Sequence, residues 1–558
     1  MTTARHALAS ALIAVTITGR VPAQGVVADP LPARIDRMFR AIDSATTPGC
    51  VVGVARDGRP LHYRTYGMTD LERPTPNDTA TVFEAGSVSK QFVAAAVLLL
   101  SYEHKLSLDD DVRRFLPEFP VNAPRTTIRQ LLTHQSGLRD YGDLLEFSGW
   151  PRGTRLDTQD EVLTLVARQS GRNFAPGAEY SYSNSNYVLA AVLVARASGE
   201  TLIAYTRRAI FAPLGMTHTE WRNDITHRVN GRAIGWTPDD NGVWKIDMPN
   251  ENVVGAGGLL TTVPDLMRWQ AAFRTGALGG LRFVTDMERV GVLRNGRVTG
   301  YALGLEIATE RGQRTVSHGG WTAGYKAYVG RIPDHGLAVA LLCNAGSLRT
   351  DELGPQLLAL ADGDTTAGAD DVQPDLGPPS TDPARLAIAG TYRNERTRQP
   401  ITVRAFRDGL TINTWVAYQP RDAGGFISVD GSRVLTATRS DDGRVPALQI
   451  SYDGRDSIRF TRVMTTWAPT PGQLAALAGA YASTDVATPW RLEVERGALV
   501  VRRRLGQRDV LVPRYTDAFI VPSQGWLVTL RRSRDGQVIG IDVGLPRTRT
   551  VFFRRGRD

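Results

Sequence analysis

Between residues 30 and 365 the apolar positions change period several times. "CVVGVARDGRPLHYRTYG" (50–67) holds two strand-like runs around Asp57-Gly58, the pattern of a hairpin with a two-residue turn. "SVSKQFVAAAVLLLSYEHKL" (87–106) is apolar on nearly every face for three turns, which predicts a helix buried all round. "NSNYVLAAVLVARASG" (184–199) predicts a second apolar helix, stopped by Gly199. "QRTVSHGGWTAGYKAYVGRIPDHGLAVALLCNAG" (313–346) predicts three strands in succession, with turns at Ala323-Gly324 and Asp334-His335-Gly336. Strands thus come from both ends of this region and helices from its middle. The expectation is an α+β domain over residues 30–365, its sheet closed by its own two termini.

Beyond it the pattern changes. "ADGDTTAGADDVQPDLGPPSTDP" (361–383) is rich in Pro, Gly, Asp and Thr and predicts a linker over 366–383. From residue 384 short strand-like runs follow one another between Asp-Gly and Gly-Gln turns, with little helix except near "PGQLAALAGAY". This half contains a faint repeat. Gly390 and Tyr392 of "LAIAGTYRN" correspond to Gly479 and Tyr481 of "LAALAGAYAS", and each copy closes on an aromatic, basic run, "SIRFTRV" and "TVFFRRG". Two small antiparallel barrels, 384–465 and 466–558, account for this; a single larger sandwich is the other arrangement the pattern allows.

Composition narrows the class. The chain has 558 residues, 42% hydrophobic and 22% charged, ordinary for folded domains and too long for one core. Its net charge is +9, but the basic residues are scattered arginines without the basic stripe and interleaved aromatics that nucleic acid would need. "MTTARHALASALIAVTITGRVPAQ" has a basic start, a short apolar run and small residues before Ala23, so residues 1–23 read as an export signal and the localisation as periplasmic or secreted. That run is too short to span a bilayer, and no other stretch is long and apolar enough, so no membrane span is expected. The two cysteines, Cys50 and Cys343, make no metal site; in an oxidising compartment they form either a bridge or two buried thiols.

Only four lysines occur in the chain, and one of them, Lys90, opens the most apolar helix. Lysine is almost never buried without a reason. Ser87, three residues earlier, shares its helix face. A serine hydroxyl needs a neighbour to accept its proton, and a desolvated lysine can have its pKa lowered enough to do so. The other reading is a capping serine beside an ordinary lysine, because Ser-x-x-Lys alone arises by chance about 0.2 times in such a chain. Two further elements have similarly double readings. Tyr182 and Asn184 in "YSYSNSNY" fit a packed aromatic and a helix cap as well as a catalytic pair. His318 in "SHGGW" fits a structural histidine, while Gly319 and Gly320 within a strand indicate a close backbone approach by another group, substrate included.

Together these elements carry more. Ser-x-x-Lys, Tyr-x-Asn and a His-Gly-Gly strand, about 95 and 136 residues apart (87 to 182, 182 to 318), resemble the penicillin-recognising serine hydrolases. Within them the chain is similar to the branch containing class C β-lactamases, D-alanyl-D-alanine carboxypeptidases, D-aminopeptidases and related esterases. "TIRQLLTHQSGL", "KLSLDDDVRRFLPEF", "FAPLGMTHTEW" and "GAGGLLTTVPDLMRW" support the same branch. The resemblance implies a β-lactamase-like domain over 30–365, and the D-aminopeptidases share its succession of catalytic domain and two small barrels. It implies Ser87 as nucleophile, Lys90 as its proton partner, Tyr182 as general acid or base, and Asn184, His318, Gly319 and Gly320 as substrate contacts. The oxyanion hole would be the N–H groups of Ser87 and Trp321. No cofactor and no metal are implied. His318 stands where β-lactamases carry lysine; partly charged at neutral pH, it would grip a substrate carboxylate less firmly. The family's fold also sets the strand of Cys50 beside that of Cys343, where a disulfide could form.

The expected function is acyl-enzyme hydrolysis of a small peptide or ester substrate, of the D-aminopeptidase or carboxypeptidase type. An esterase or weak β-lactamase is the alternative within the same chemistry, and a sensor that acylates and stops is the alternative outside it. The C-terminal units carry no site signature; the role expected of them is binding or gating by a barrel loop that narrows the cleft, with simple packing support for the catalytic domain as the alternative. Nothing in the sequence bears on oligomeric state.

Overall fold

The computed structural model describes residues 31–119, 123–151, 153–364, 376–413, 416–422, 424–429, 431, 433–452, 456–463 and 467–556. The export signal expected at 1–23 lies outside them. Among the described residues no single helix is long and apolar enough to cross a membrane.

The elements that position the site are, along the chain, α1 (Leu31–Phe39), β1 (Cys50–Arg56), β2 (Arg59–Tyr66), α2 (Lys90–Tyr102), α3 (Tyr141–Phe147), α4 (Asn184–Ser198), α5 (Val263–Thr275), β3 (Glu306–Glu310), β4 (Gln313–Thr322), β5 (Tyr325–Ile332), β6 (Leu337–Cys343) and α6 (Thr350–Ala361). The strands form one antiparallel sheet in the order β3-β4-β5-β6-β1-β2. Both faces of β1 and β6 are covered, and alternate residues go to different cores. Val52, Val54, Val339 and Leu341 pack with α1 and α6. Val51, Ala55, Ala340 and Leu342 pack with α5 and the helical layer around α2 and α4. A Cβ at Gly53 would lie 2.6 Å from Val263, so glycine there lets α5 rest directly on β1.

The sheet is closed by its termini as the strand pattern predicts: Cys50 pairs with Cys343 in the β1–β6 register, and the two are joined by a disulfide. Denatured, unreduced protein is therefore expected to take up no iodoacetamide, and reduced protein two equivalents, read by intact mass. Two alkylations without reductant would refute the bridge.

The C-terminal half forms two closed eight-stranded barrels, running from Gly390–Asn394 to Asp456–Arg462 and from Gly479–Ala482 to Thr548–Arg555. Residues 365–375, most of the expected linker, lie outside the described residues. Leu376–Ser380 already belong to the first barrel, where the Leu376, Pro378 and Ala405 carbonyls accept the N–H groups of Asp408, Arg407 and Ser380. The faint repeat has a structural basis. Each barrel opens with a short helix, Pro383–Leu386 or Pro471–Ala475, followed by a buried tyrosine that bonds back to it: Tyr392 to the Ile388 carbonyl at 2.7 Å, Tyr481 to that of Leu477 at 2.8 Å. The arginine that ends each closing strand, Arg462 or Arg555, pairs with that tyrosine's position.

The second barrel is docked on the catalytic domain. Leu144 and Phe147 of α3 enter its core beside Trp490 and Trp526. Trp490 Nε1 donates to the Phe147 carbonyl at 2.9 Å, and Arg139 and Asp485 form a buried ion pair at 2.7 Å.

Candidate active site

The segment "AGSVSK" enters α2 through a 3₁₀ turn, Gly86–Ser89. Gly86 has φ +50° and lies where a Cβ would be 2.5 Å from the Trp321 nitrogen, so only glycine fits both its backbone and its neighbour. Ser89 pins the turn: its Oγ donates to the Gly86 carbonyl at 2.5 Å and accepts the Leu259 N–H at 3.3 Å. The capping reading of Ser87 does not hold, because neither end of this turn nor the start of α2 is capped by a side chain. Ser87 stays partly exposed at the floor of a cleft of about 640 Å³.

Lys90 is fully buried one turn on. Its Nζ donates to Ser87 Oγ (3.0 Å), Asn184 Oδ1 (2.9 Å) and the Ala256 carbonyl (2.8 Å), one acceptor for each of its three protons. Asn184 is the first residue of α4, and Asp140 Oδ2 accepts its N–H at 2.7 Å. Asn184 therefore does not cap α4; its amide oxygen is left to orient Lys90. Tyr182 lies with its ring 5.0 Å from Lys90 Nζ and its hydroxyl beside the Ser87 side chain. Burial pushes the Tyr182 phenol well above its ordinary value, so it stands as a neutral O–H and not as a phenolate.

β4 supplies the opposite wall. A Cβ at Gly320 would lie 2.1 Å from the Ala85 carbonyl, so the close approach at this glycine is made by the serine-bearing segment itself and not by substrate. Gly319 is open, its nearest neighbour the Ala327 oxygen at 4.0 Å. β3 pairs with β4 only as far as Ser317, which leaves the edge from His318 to Trp321 free on the Ser87 side. The Trp321 nitrogen lies against the Gly86 backbone, placing two N–H groups, those of Ser87 and Trp321, on the same flank of the cleft.

The expectation that His318 is partly charged is overturned. Its Nδ1 donates to the Gly319 carbonyl at 2.6 Å and its Nε2 accepts from the Tyr301 hydroxyl at 2.9 Å. Burial, then the Lys90 charge, lower its pKa to about 4, so the ring is neutral at pH 7 and holds a fixed tautomer.

Several residues of the site went unread in the sequence. His134, from the "LLTHQSGL" stretch, is fully buried 4.3 Å from the Tyr182 ring, and its Nδ1 accepts the Ser183 N–H at 3.1 Å. Tyr180 and Glu306 line the same wall, with Tyr301 buried behind Tyr180, and no motif marked them. Arg547 comes from the second barrel. The hairpin between Val538–Leu545 and Thr548–Arg555 carries it into the cleft, with its guanidinium 4.8 Å from the Tyr182 ring. The Arg547 carbonyl accepts from Asn173 Nδ2 at 2.7 Å, and Thr548 Oγ1 accepts the Asp140 N–H at 3.1 Å, so this tip is tied to the loops that hold Asn184.

The comparisons with known proteins agree with this geometry. The sequence profile of the Beta-lactamase family matches residues 35–362, more than half of the chain. A D-aminopeptidase of Cereibacter sphaeroides (strain KD131) is 30% identical over 321 residues, which cover 56% of this chain and 60% of the relative, so the match spans less than two thirds of that protein. A D-aminopeptidase of Brucella anthropi is 26% identical over 538 residues, 91% of this chain and 95% of the relative. Among solved structures, the octameric penicillin-binding protein homologue from Pyrococcus abyssi superposes with a TM-score of 0.56 at 21% identity, covering 77% of this chain and 99% of that one, a likeness of fold. The matched profile and the serine, lysine, tyrosine and asparagine brought together inside it show that this chain belongs to the Beta-lactamase family.

Proposed function

We propose that the protein is an exported serine hydrolase that cleaves amide bonds through an acyl-enzyme on Ser87, acting on short peptides or amides that carry a D-amino acid. The observation that carries this reading is the hydrogen-bonded set Ser87–Lys90–Asn184, with the Tyr182 ring 5.0 Å from Lys90 Nζ. With one proton given up to solvent, Lys90 is a neutral amine that still donates to Asn184 and the Ala256 carbonyl and turns its lone pair to Ser87; Ser87 Oγ then attacks the substrate carbonyl and its proton passes to Lys90 Nζ. The oxyanion is received by the Ser87 and Trp321 N–H groups. The C–N bond then breaks while the neutral Tyr182 hydroxyl gives its proton to the departing amine and is reprotonated from Lys90. Water attacks the ester in the second half, losing its proton through the same pair, and Ser87 leaves with its hydrogen restored.

The D-configured substrate is supported by the names of the relatives, one of which aligns along almost the whole chain. His318 supports an amide or ester over a β-lactam, because a neutral ring tied to Tyr301 presents no charge to a carboxylate. The Cys50–Cys343 bridge supports folding in an oxidising compartment, in line with periplasmic or secreted localisation. The test is a comparison of kcat/KM on D-alanine p-nitroanilide, its L-isomer, p-nitrophenyl butyrate and nitrocefin. The D-anilide is expected to exceed the L-anilide by at least tenfold and nitrocefin to be the poorest. Equal rates on the two isomers, or nitrocefin as the best substrate, would overturn the assignment.

A further inference from the structure

Glu306 has no role in the steps above, yet it opens into the same cleft as Ser87. It is the first residue of β3, paired with Ser317 at the point where β3 stops covering β4 and the free edge at His318 begins. Its side chain is exposed within the cleft, and among the described residues no lysine or arginine pairs with it. It shares the lining of the cleft with Tyr180 and Tyr182. Arg547, which enters the cleft over Tyr182, forms no ion pair with it.

A cleft-lining carboxylate without a cation, on a wall that also carries Tyr180 and Tyr182, is an arrangement that receives an ammonium through a charge-assisted hydrogen bond. The same carboxylate, with Glu310 also lining this end, repels a substrate carboxylate. We infer that Glu306 selects substrates that present a free ammonium group to the β3 end of the cleft, and that it is the residue that reads an unblocked amino group. This inference rests on the acyl-enzyme reading of Ser87, and it adds the chemistry of a substrate end that the Ser87 cluster does not specify.

The test uses Ser87 labelling by a fluorophosphonate, followed by intact mass, so that it does not depend on turnover. D-alaninamide and N-acetyl-D-alaninamide are added as competitors to wild type and to Glu306→Gln, each compared with its own uncompeted rate. In wild type D-alaninamide is expected to protect at concentrations about tenfold to a hundredfold below the acetylated amide, and in E306Q this difference should collapse to under threefold. Equal protection by the two amides in wild type, or an undiminished difference in E306Q, overturns the inference. Failure of Ser87 to label at all would instead sink the acyl-enzyme reading. Poor hydrolysis of D-alanine p-nitroanilide beside a preserved amine preference would sink only the substrate assignment.

Discussion

Ser87→Ala is expected to lower kcat on any amide or ester substrate by about 10⁴- to 10⁶-fold and to abolish the mass increase on incubation with a fluorophosphonate. The change removes one partly exposed oxygen from a turn held by Gly86 and by the two hydrogen bonds of Ser89. Thermal stability should therefore stay close to wild type, separating loss of chemistry from loss of fold. What remains in the variant is the pair of N–H donors and the binding surface of β4, which by themselves still speed the reaction over water. If Ser87→Ala labelled as fast as wild type, the nucleophile would lie elsewhere and the mechanism would fall.

Lys90→Met is expected to slow acylation by about 10²- to 10⁴-fold, the usual range for a lost general base. Methionine fills the same channel without a charge, so the packing of α2 against α4 persists. The polar consequences are local: the Asn184 amide oxygen and the Ala256 carbonyl lose their donor, and Ser87 loses the group that takes its proton. The expected signature is a labelling rate that falls far more than substrate affinity. Tyr182 cannot take over the acceptor role, because burial disfavours its phenolate. A labelling rate within threefold of wild type would show that Lys90 is a structural cation and that the proton leaves Ser87 by another path.

The difference between these residues and Arg547 shows where sequence reading stops. Ser87 and Lys90 stand one helical turn apart, so their neighbourhood follows from helix geometry alone, and the apolar run after them announces burial. Cys50 and Cys343 face one another because the first and last strands of the domain pair, an arrangement the strand pattern already suggested. Glu306 had no such local signal. It looks like an ordinary residue of a strand, and it becomes part of the cleft only because β3 stops at Ser317 and uncovers the edge beside it.

By itself the sequence determined the succession of helices and strands and set Ser87 one helical turn before Lys90. These follow from short-range periodicity and spacing, which the chain carries in any conformation; Tyr182 and Asn184, about 95 residues further on, were joined to them only through the resemblance to a known family. The tertiary structure alone decided the charge state of His318, the position of Glu306 in the wall, and the entry of Arg547 from the second barrel. Each depends on groups far apart in the chain: His318 is neutral because burial and Lys90 disfavour its proton, and Arg547 reaches Tyr182 because α3 anchors the barrel that carries it. Desolvation and long-range charge act through space, and only the folded chain sets those distances.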